Sequence, residues 1–361
     1  MKLLLVGRTR FAFPLDETLE RRFTALSAEL EWRQMGTGRS TDPRFALALP
    51  FPVGRLDGLA FYLALPFRVA RELRRFRPDA VLAQGLQETA VVLFARAVTR
   101  VPTKVIADVH GDWRAPTRLY GSRARRLLDP LADLLARVGL GRADGVRTIS
   151  GYTSRLVRAK GREPDAEFPA YMDLAPFSGA NVALPESPTV LFVGVLERYK
   201  AIDVLAEAWP AVRERIPAAR LHVVGSGSLP APSGAGITWD SSLPTSGVAA
   251  ALDAATLLAL PSRSEGMGRV LVEAFSRGRA VVGSRVGGIP DLVREGENGL
   301  LVPPGDSAAL ADALVRVLED RELAARLGEG ARASAAAWTA TPEEFAGRVR
   351  ELVETVTRLT T

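Results

Sequence analysis

Two carboxylates, Glu265 and Glu273, are separated by seven residues within PSRSEGMGRVLVEAFSRGRAVVGSRVGGIPDLVREGENGLLVPP (261–304), and a Gly266-Met267-Gly268 turn lies between them. The spacing predicts a helix from about Arg269, because Val270, Leu271, Ala274 and Phe275 recur at helical intervals while the glycines block an earlier start. The first N–H groups of such a helix lack intrahelical partners. Together with the helix dipole they favour an anion, and glycines at the entrance let it come close to the main chain. A phosphate or diphosphate suits that chemistry. Glu273 lies one turn into the helix and Glu265 before it, so one acid can hold a diol while the other reaches a different part of the ligand. Ser262-x-x-Glu265 also matches a helix capping box, but a capping glutamate belongs inside the helix and here Gly-Met-Gly follows it.

The stretch resembles the signature of the retaining glycosyltransferases of family 4, in the glycogen-synthase-like and mannosyltransferase-like group: Glu265, seven residues, Glu273, then VVGSRVGGIPDLV and NGLLVPPGD. The resemblance extends upstream through FVGVLERYKAIDVLAEAW (192–209), LHVVGSG (221–227) and LLALPS (257–262), and more loosely to DVHGDW (108–113). It implies an α/β chain of GT-B fold, two Rossmann-like domains facing a cleft. The implied reaction moves a hexose from a nucleotide-diphosphate sugar to an acceptor of unknown identity, with retention of anomeric configuration. By the same resemblance Glu273 grips the ribose hydroxyls, while Glu265 and His110 lie beside the donor sugar. Lys200 neutralises the diphosphate, and Gly266, Met267, Gly268, Arg269 and Val270 form the entrance that meets the donor. Two departures stand out. Family members often carry an arginine where this chain has Val195, leaving Arg198 as the nearby replacement cation, and the first loop, GRTRFAFPLDETL, has one glycine where many members have a pair, with Arg8 and Arg10 beside it. A catalytically silent nucleotide-sugar-binding subunit and a GT-B epimerase remain alternative readings.

Composition narrows the chemistry. With 361 residues, two domains of ordinary size are expected, and 47% apolar with 24% charged residues excludes a disordered chain. There is no cysteine and only His110 and His222 as imidazoles, which removes disulfides, thiolate metal sites and histidine-rich metal sites. No Asp-x-Asp pair occurs, so no metal and no cofactor are expected beside the donor. Lys2 is followed by only four apolar residues, which reads as a first strand instead of a signal peptide, and no apolar run approaches the roughly 20 residues of a membrane span. The expected location is cytoplasmic. Residues 1–165 carry 29 Lys+Arg against 17 Asp+Glu, whereas the remainder is acidic. That asymmetry fits peripheral contact with an anionic membrane or an anionic acceptor, and equally an arginine-rich solvated surface; nucleic acid is not expected. Phe67–Arg77, with five arginines among Phe67, Val69, Ala70 and Leu73, reads either as a helix on an anionic membrane or as an ordinary outer helix.

The elements that must position these residues alternate. KLLLV (2–6) predicts a strand that Gly7-Arg8 turns towards a helix near Asp16. Ala46–Leu49, Ala80–Ala83, Lys104–Val109 and Gly145–Ile149 are short strand-like runs between helical patterns, which is how a parallel βαβ sheet is written. His110 follows one of these strands directly, where such sheets place functional loops. Ser150 is the expected cap of a helix Tyr152–Lys160. The proline-rich, aperiodic stretch 167–188 reads as a linker between an acceptor domain (1–166) and a donor domain (189–340) that opens on the strand Thr189–Val193. Val224-Gly225-Ser226-Gly227 is a fragment of a dinucleotide fingerprint without its third glycine. Trp239 and Asp240 fall where the family meets the nucleobase, and His222 reads as a strand residue. Ala308–Glu319, Arg321–Trp338 and Glu343–Leu359 are helical by pattern, and the resemblance implies that the last (341–361) braces the first domain.

Overall fold

The computed structural model describes residues 1–49, 54–115, 127–179 and 182–358. The chain divides into two compact units: the first runs to Tyr171 and takes back the chain from Ala340 onward, while Met172–Thr339 forms the body of the second. The crossover at Tyr171–Met172 lies inside the proline-rich stretch. That stretch lacks periodicity but is anchored, since Phe168 and Tyr171 are buried with their rings about 6 Å from Phe345, at 6.0 and 5.9 Å.

The first unit is a parallel sheet of β1 (Lys2–Phe11), β2 (Glu31–Gly38), β3 (Phe45–Ala48), β4 (Ala80–Gln84), β5 (Lys104–Val109), β6 (Gly145–Thr148) and β7 (Ala166–Glu167), ordered β3-β2-β1-β4-β5-β6-β7. The central strands β1, β4 and β5 carry apolar runs because both faces are covered. Alternate residues part company accordingly. Leu3, Leu5, Leu82 and Ile106 pack with α1 (Glu17–Glu29) and the C-terminal helix Pro342–Arg358, whose expected last residue, Leu359, lies outside the described residues. Leu4, Val6, Val81 and Val105 pack on the other face with α2 (Gly54–Phe76) and α3 (Leu86–Thr99), and Ala107 and Val109 continue that face beneath α4 (Asp129–Arg142). Ser150 caps α5 (Gly151–Arg158) in a capping box with Thr153.

Two expectations need correction. β1 does not turn at Gly7; it shifts register between Val6 and Arg10 and continues to Phe11 beside Gly38. Gly7 serves closeness instead, because a Cβ there would lie 2.5 Å from Gln84 Oε1. β2 escaped the sequence reading because EWRQMGTG has no apolar run. It sits between β1 and β3, so even Gln34 is buried, with its amide donating to the Met35 carbonyl.

The second unit is a parallel sheet of β8 (Thr189–Val193), β9 (Arg220–Val224), β10 (Ile237–Asp240), β11 (Leu257–Leu260), β12 (Ala280–Ser284) and β13 (Gly299–Val302), ordered β10-β9-β8-β11-β12-β13. Its helices are α6 (Ile202–Arg215), α7 (Thr245–Asp253), α8 (Arg269–Ser276), α9 (Ile289–Leu292), α10 (Ser307–Glu319) and α11 (Arg321–Ala335). The chain steps from β8 outward to β10 and then returns to the other side of β8 with β11. Strand order therefore reverses between β8 and β11, and parallel sheets bind ligands outside the carboxyl ends of strands at such a reversal.

Candidate active site

The loops after β8 and β11 bring the predicted residues of the second unit together at this reversal. α8 opens on Gly268, whose φ of 75° is left-handed and which offers no side-chain cap, so the capping-box reading of Ser262 and Glu265 is excluded. Glu265 instead pairs with Lys200, which follows β8 on a short 3-10 turn; Nζ lies 2.5 Å from Oε2, with both side chains 13% exposed. Burial raises the carboxyl of Glu273 above the ordinary glutamate value against the pull of the Arg269 and Lys200 charges. Among the described residues its carboxylate has no hydrogen-bond partner. The side chain is half-buried, so the carboxylate keeps its acceptor capacity available to a ligand. Met267 and Val270 turn their side chains into the core, so what they can offer a ligand is main chain. Arg269 and Arg198 are exposed, as is Val195. Arg198 contributes its carbonyl to the site's frame: Arg263 donates to it at 2.8 Å while pairing with Asp203 at 2.7 Å.

Gly287 and Gly288, which had no assigned purpose in the sequence, hold the Glu265 loop. A Cβ on Gly287 would lie 2.0 Å from the Glu265 carbonyl oxygen and one on Gly288 would lie 2.1 Å from that of Gly266. The Gly288 N–H donates to the Glu265 carbonyl at 2.9 Å. Gly225 presses on the Gly194 carbonyl in the same way, with a Cβ at 1.9 Å, so the fingerprint-like VGSG braces the β8 loop. His222 lies on β9, one strand in from the edge, and pairs at 2.8 Å with Asp240 of the edge strand β10, and Trp239 is half exposed with its indole N–H donating to Gly225.

His110 belongs to the first unit and directly follows β5. Its Nε2 lies 2.8 Å from Asp108 Oδ2, and Arg147 Nη1 donates to Asp108 Oδ1 at 2.7 Å. Asp108 and Arg147 are register partners on β5 and β6. Burial works to raise the Asp108 carboxyl, but Arg147 and then His110 outweigh it and hold the group at about 2. Arg147, 2% exposed, also donates to the carbonyls of Phe168 and Pro169 and stacks 4.1 Å from the centre of the Phe168 ring. A cavity of about 60 Å³ adjoins this network, lined by Gln34, Gln84, Asp108, His110 and Arg147 beneath α1 and the C-terminal helix. Sequence reasoning found His110 and missed its two partners. The signal was present in Asp108-x-His110, since alternate strand residues share a face.

Comparison with known proteins bears on all of this. The family described as Glycosyl transferases group 1 matches residues 187–320, and the Glycosyl transferase 4-like domain matches residues 19–167. The chain belongs to the family 4 glycosyltransferases. Among relatives of this family 4 member, a D-inositol 3-phosphate glycosyltransferase of Corynebacterium glutamicum is 35% identical over 45% of this chain and 43% of its own. A GDP-mannose-dependent alpha-(1-6)-phosphatidylinositol monomannoside mannosyltransferase of Mycobacterium tuberculosis is 29% identical over 69% of each chain. The match takes in about half the length of the first relatives, 43% and 58%. The fold is that of solved GT-B proteins. Sucrose-phosphate synthase from Thermosynechococcus elongatus superposes with a TM-score of 0.80 at 22% identity over 99% of this chain and 100% of its own. Anabaena HepE in complex with UDP-glucose gives 0.70 at 19% over 97% and 99%.

The family 4 member also has an unusual outer face. α2, α3 and α4 pack side by side on one side of the first sheet. They expose large apolar side chains to solvent: Leu63 and Phe67 from α2, Phe94 and Val98 from α3, Leu131 and Leu134 from α4, with Phe67 79% exposed. Arg71, Arg74, Arg75, Arg137 and Arg142 are exposed on the same helices. Among the described residues, no helix is long and apolar enough to cross a membrane.

Proposed function

We propose that this chain transfers a hexose from a nucleotide-diphosphate sugar to an acceptor with retention, holding the donor on its second unit. The observation that carries this reading is Glu273, a half-buried carboxylate with no hydrogen-bond partner among the described residues, one turn into an uncapped helix at the strand-order reversal. Ribose hydroxyls donate to that carboxylate, and the diphosphate meets the free N–H groups at Gly268-Arg269. Lys200 has three N–H donors, so it can keep Glu265 while reaching a phosphate oxygen. Glu265 then lies against the sugar ring. The acceptor hydroxyl attacks the anomeric carbon on the face the diphosphate leaves; the new C–O bond forms as the old one breaks, and the acceptor proton goes to the departing diphosphate oxygen. Lys200, Arg198 and the helix entrance stabilise the charge that grows there. The reaction in this reading uses no metal and no cofactor.

The acceptor side is the first unit, and the surface on α2, α3 and α4 supports peripheral contact with an anionic membrane. Exposed apolar patches on this scale mark interaction sites, and apolar residues interleaved with arginine match a lipid interface in both hydration and charge. The mycobacterial relative is named for a lipid acceptor, which is consistent with that placement.

A donor-hydrolysis assay tests the reading, with both UDP- and GDP-sugars because the relatives and neighbours are named for both. Slow diphosphate release with retention at the sugar is expected. Tight nucleotide binding with no release from any sugar would instead make the chain a silent binding subunit, and epimerised donor would make it an epimerase.

A further inference from the structure

We propose that Arg147 and Asp108 are positioning residues that fix the neutral form of His110 as its Nε2–H tautomer, so that Nδ1 is the ring nitrogen presented as an acceptor. The inference rests on the reading of His110 as part of the site and adds which atom it uses. Asp108 is ionised, so a 2.8 Å approach of its Oδ2 to His110 Nε2 requires a proton on that nitrogen. Gln84 Nε2, 3.5 Å from the same ring nitrogen, is itself a donor, and Thr9 Oγ1 donates to Gln84 Oε1 at 3.2 Å. No second acceptor therefore competes with Asp108 among these contacts.

Arg147 gives the arrangement its direction. A guanidinium can only donate. This one is held by two main-chain carbonyls and the Phe168 ring, so the atom of residue 108 that faces it must be an acceptor. In wild type both carboxylate oxygens accept and the question does not arise. In Asp108→Asn the amide oxygen is pinned to Arg147 and the NH2 group is driven against His110 Nε2. Two donors cannot share that contact, so the imidazole must surrender its Nε2 proton and carry one on Nδ1. Replacing Arg147 as well by methionine, which fills the space without donating, frees the introduced amide to turn its oxygen back to His110.

Nitrogen-15 NMR of the full chain reads this directly. The chain has only His110 and His222, so a His222→Gln variant leaves one imidazole to assign. Spectra are recorded up an alkaline pH series until the nitrogen-15 shifts stop changing, which reports the neutral ring. Wild type should show a protonated Nε2 and an unprotonated Nδ1. Asp108→Asn should reverse them, and Asp108→Asn with Arg147→Met should restore the wild-type pattern. If Asp108→Asn does not fold, the wild-type spectrum still decides, because a protonated Nδ1 there overturns the inference. Retention of Nε2–H in folded Asp108→Asn overturns the role of Arg147. With the tautomer reversed, kcat should fall by about tenfold, as expected when a hydrogen-bond acceptor beside the reacting sugar is replaced by a donor, while donor KM stays within about threefold. His110→Ala turnover checks the underlying reading separately, since it responds to any role of the ring while the spectra respond only to its tautomer.

Discussion

Glu265 and Glu273 are the same residue type in different surroundings: one is paired with Lys200, the other is half-buried with no hydrogen-bond partner among the described residues. Glu273→Gln should weaken nucleotide diphosphate binding about ten- to hundredfold, the value of a lost charge-assisted hydrogen bond of roughly 1.5–3 kcal/mol, as read by calorimetry. Glu265→Gln should leave that affinity nearly unchanged while turnover collapses, because the proposed donor pose puts it against the sugar and not the nucleotide. Nucleotide binding unchanged in both variants, with normal turnover, would remove the proposed donor site. Asp108 carries a prediction about acid. Its carboxyl is held at about 2 in the folded chain against 3.8 ordinarily, so it stabilises the native state by about 2–3 kcal/mol above pH 4. That stability is lost as pH falls from about 4 to 2. Asp108→Asn should flatten this part of the acid-unfolding curve. The carboxylates were legible because their spacing is local, whereas Asp108 and Arg147 are 39 residues apart and become neighbours only through strand register.

At the scale of elements, the active loop is shaped by a neighbour loop. Gly287 has a φ of 61° and no room for a Cβ, so Gly287→Ala must displace the Glu265 carbonyl and with it the entrance to α8. Left-handed strain alone costs about 1–3 kcal/mol. The melting temperature should fall, and the added stabilisation by nucleotide diphosphate should fall further, which a thermal-shift series with and without nucleotide separates. The sequence made the helices and most strands readable through periodicity. It hid β2, whose buried residues include glutamine and threonine on its two faces, and it hid the continuation of β1, because Gly7 resembles a turn when it is really a point of close packing. The glycine pair was visible as a motif, but its purpose lay in a backbone contact across more than 20 residues.

For the whole molecule, charge and exposed apolar surface coincide on α2, α3 and α4, and sedimentation with vesicles measures the consequence. Vesicles containing anionic phospholipid should retain the chain at low salt and release part of it at high salt, since exposed charges are screened over about 8 Å at physiological ionic strength. Phe67→Ser with Leu63→Ser should weaken retention even at low salt, while Arg74→Gln with Arg75→Gln should reduce its salt dependence. Equal recovery with neutral and anionic vesicles would remove the membrane reading and leave the arginines as solvated surface. Charge asymmetry was visible in composition, but the apolar half of the surface was not, because exposure of Phe94 or Leu131 depends on which helix face the sheet claims.

The C-terminal helix sets an order of events during synthesis. Phe345, Val349, Leu352 and Val356 complete the apolar layer that Leu3, Leu5 and Phe23 begin, so β1 and α1 wait for a helix made after the whole second unit before that face is dry. The second unit has its sheet and core complete by then and can fold while the first still exposes a strip of wet hydrocarbon. A chain stopped after Thr339 should accordingly yield a folded second unit and a first unit that aggregates or is digested, visible as a single protected fragment in limited proteolysis. Translation through Arg358 is in this sense a checkpoint: the first unit becomes sound only once that helix has been read.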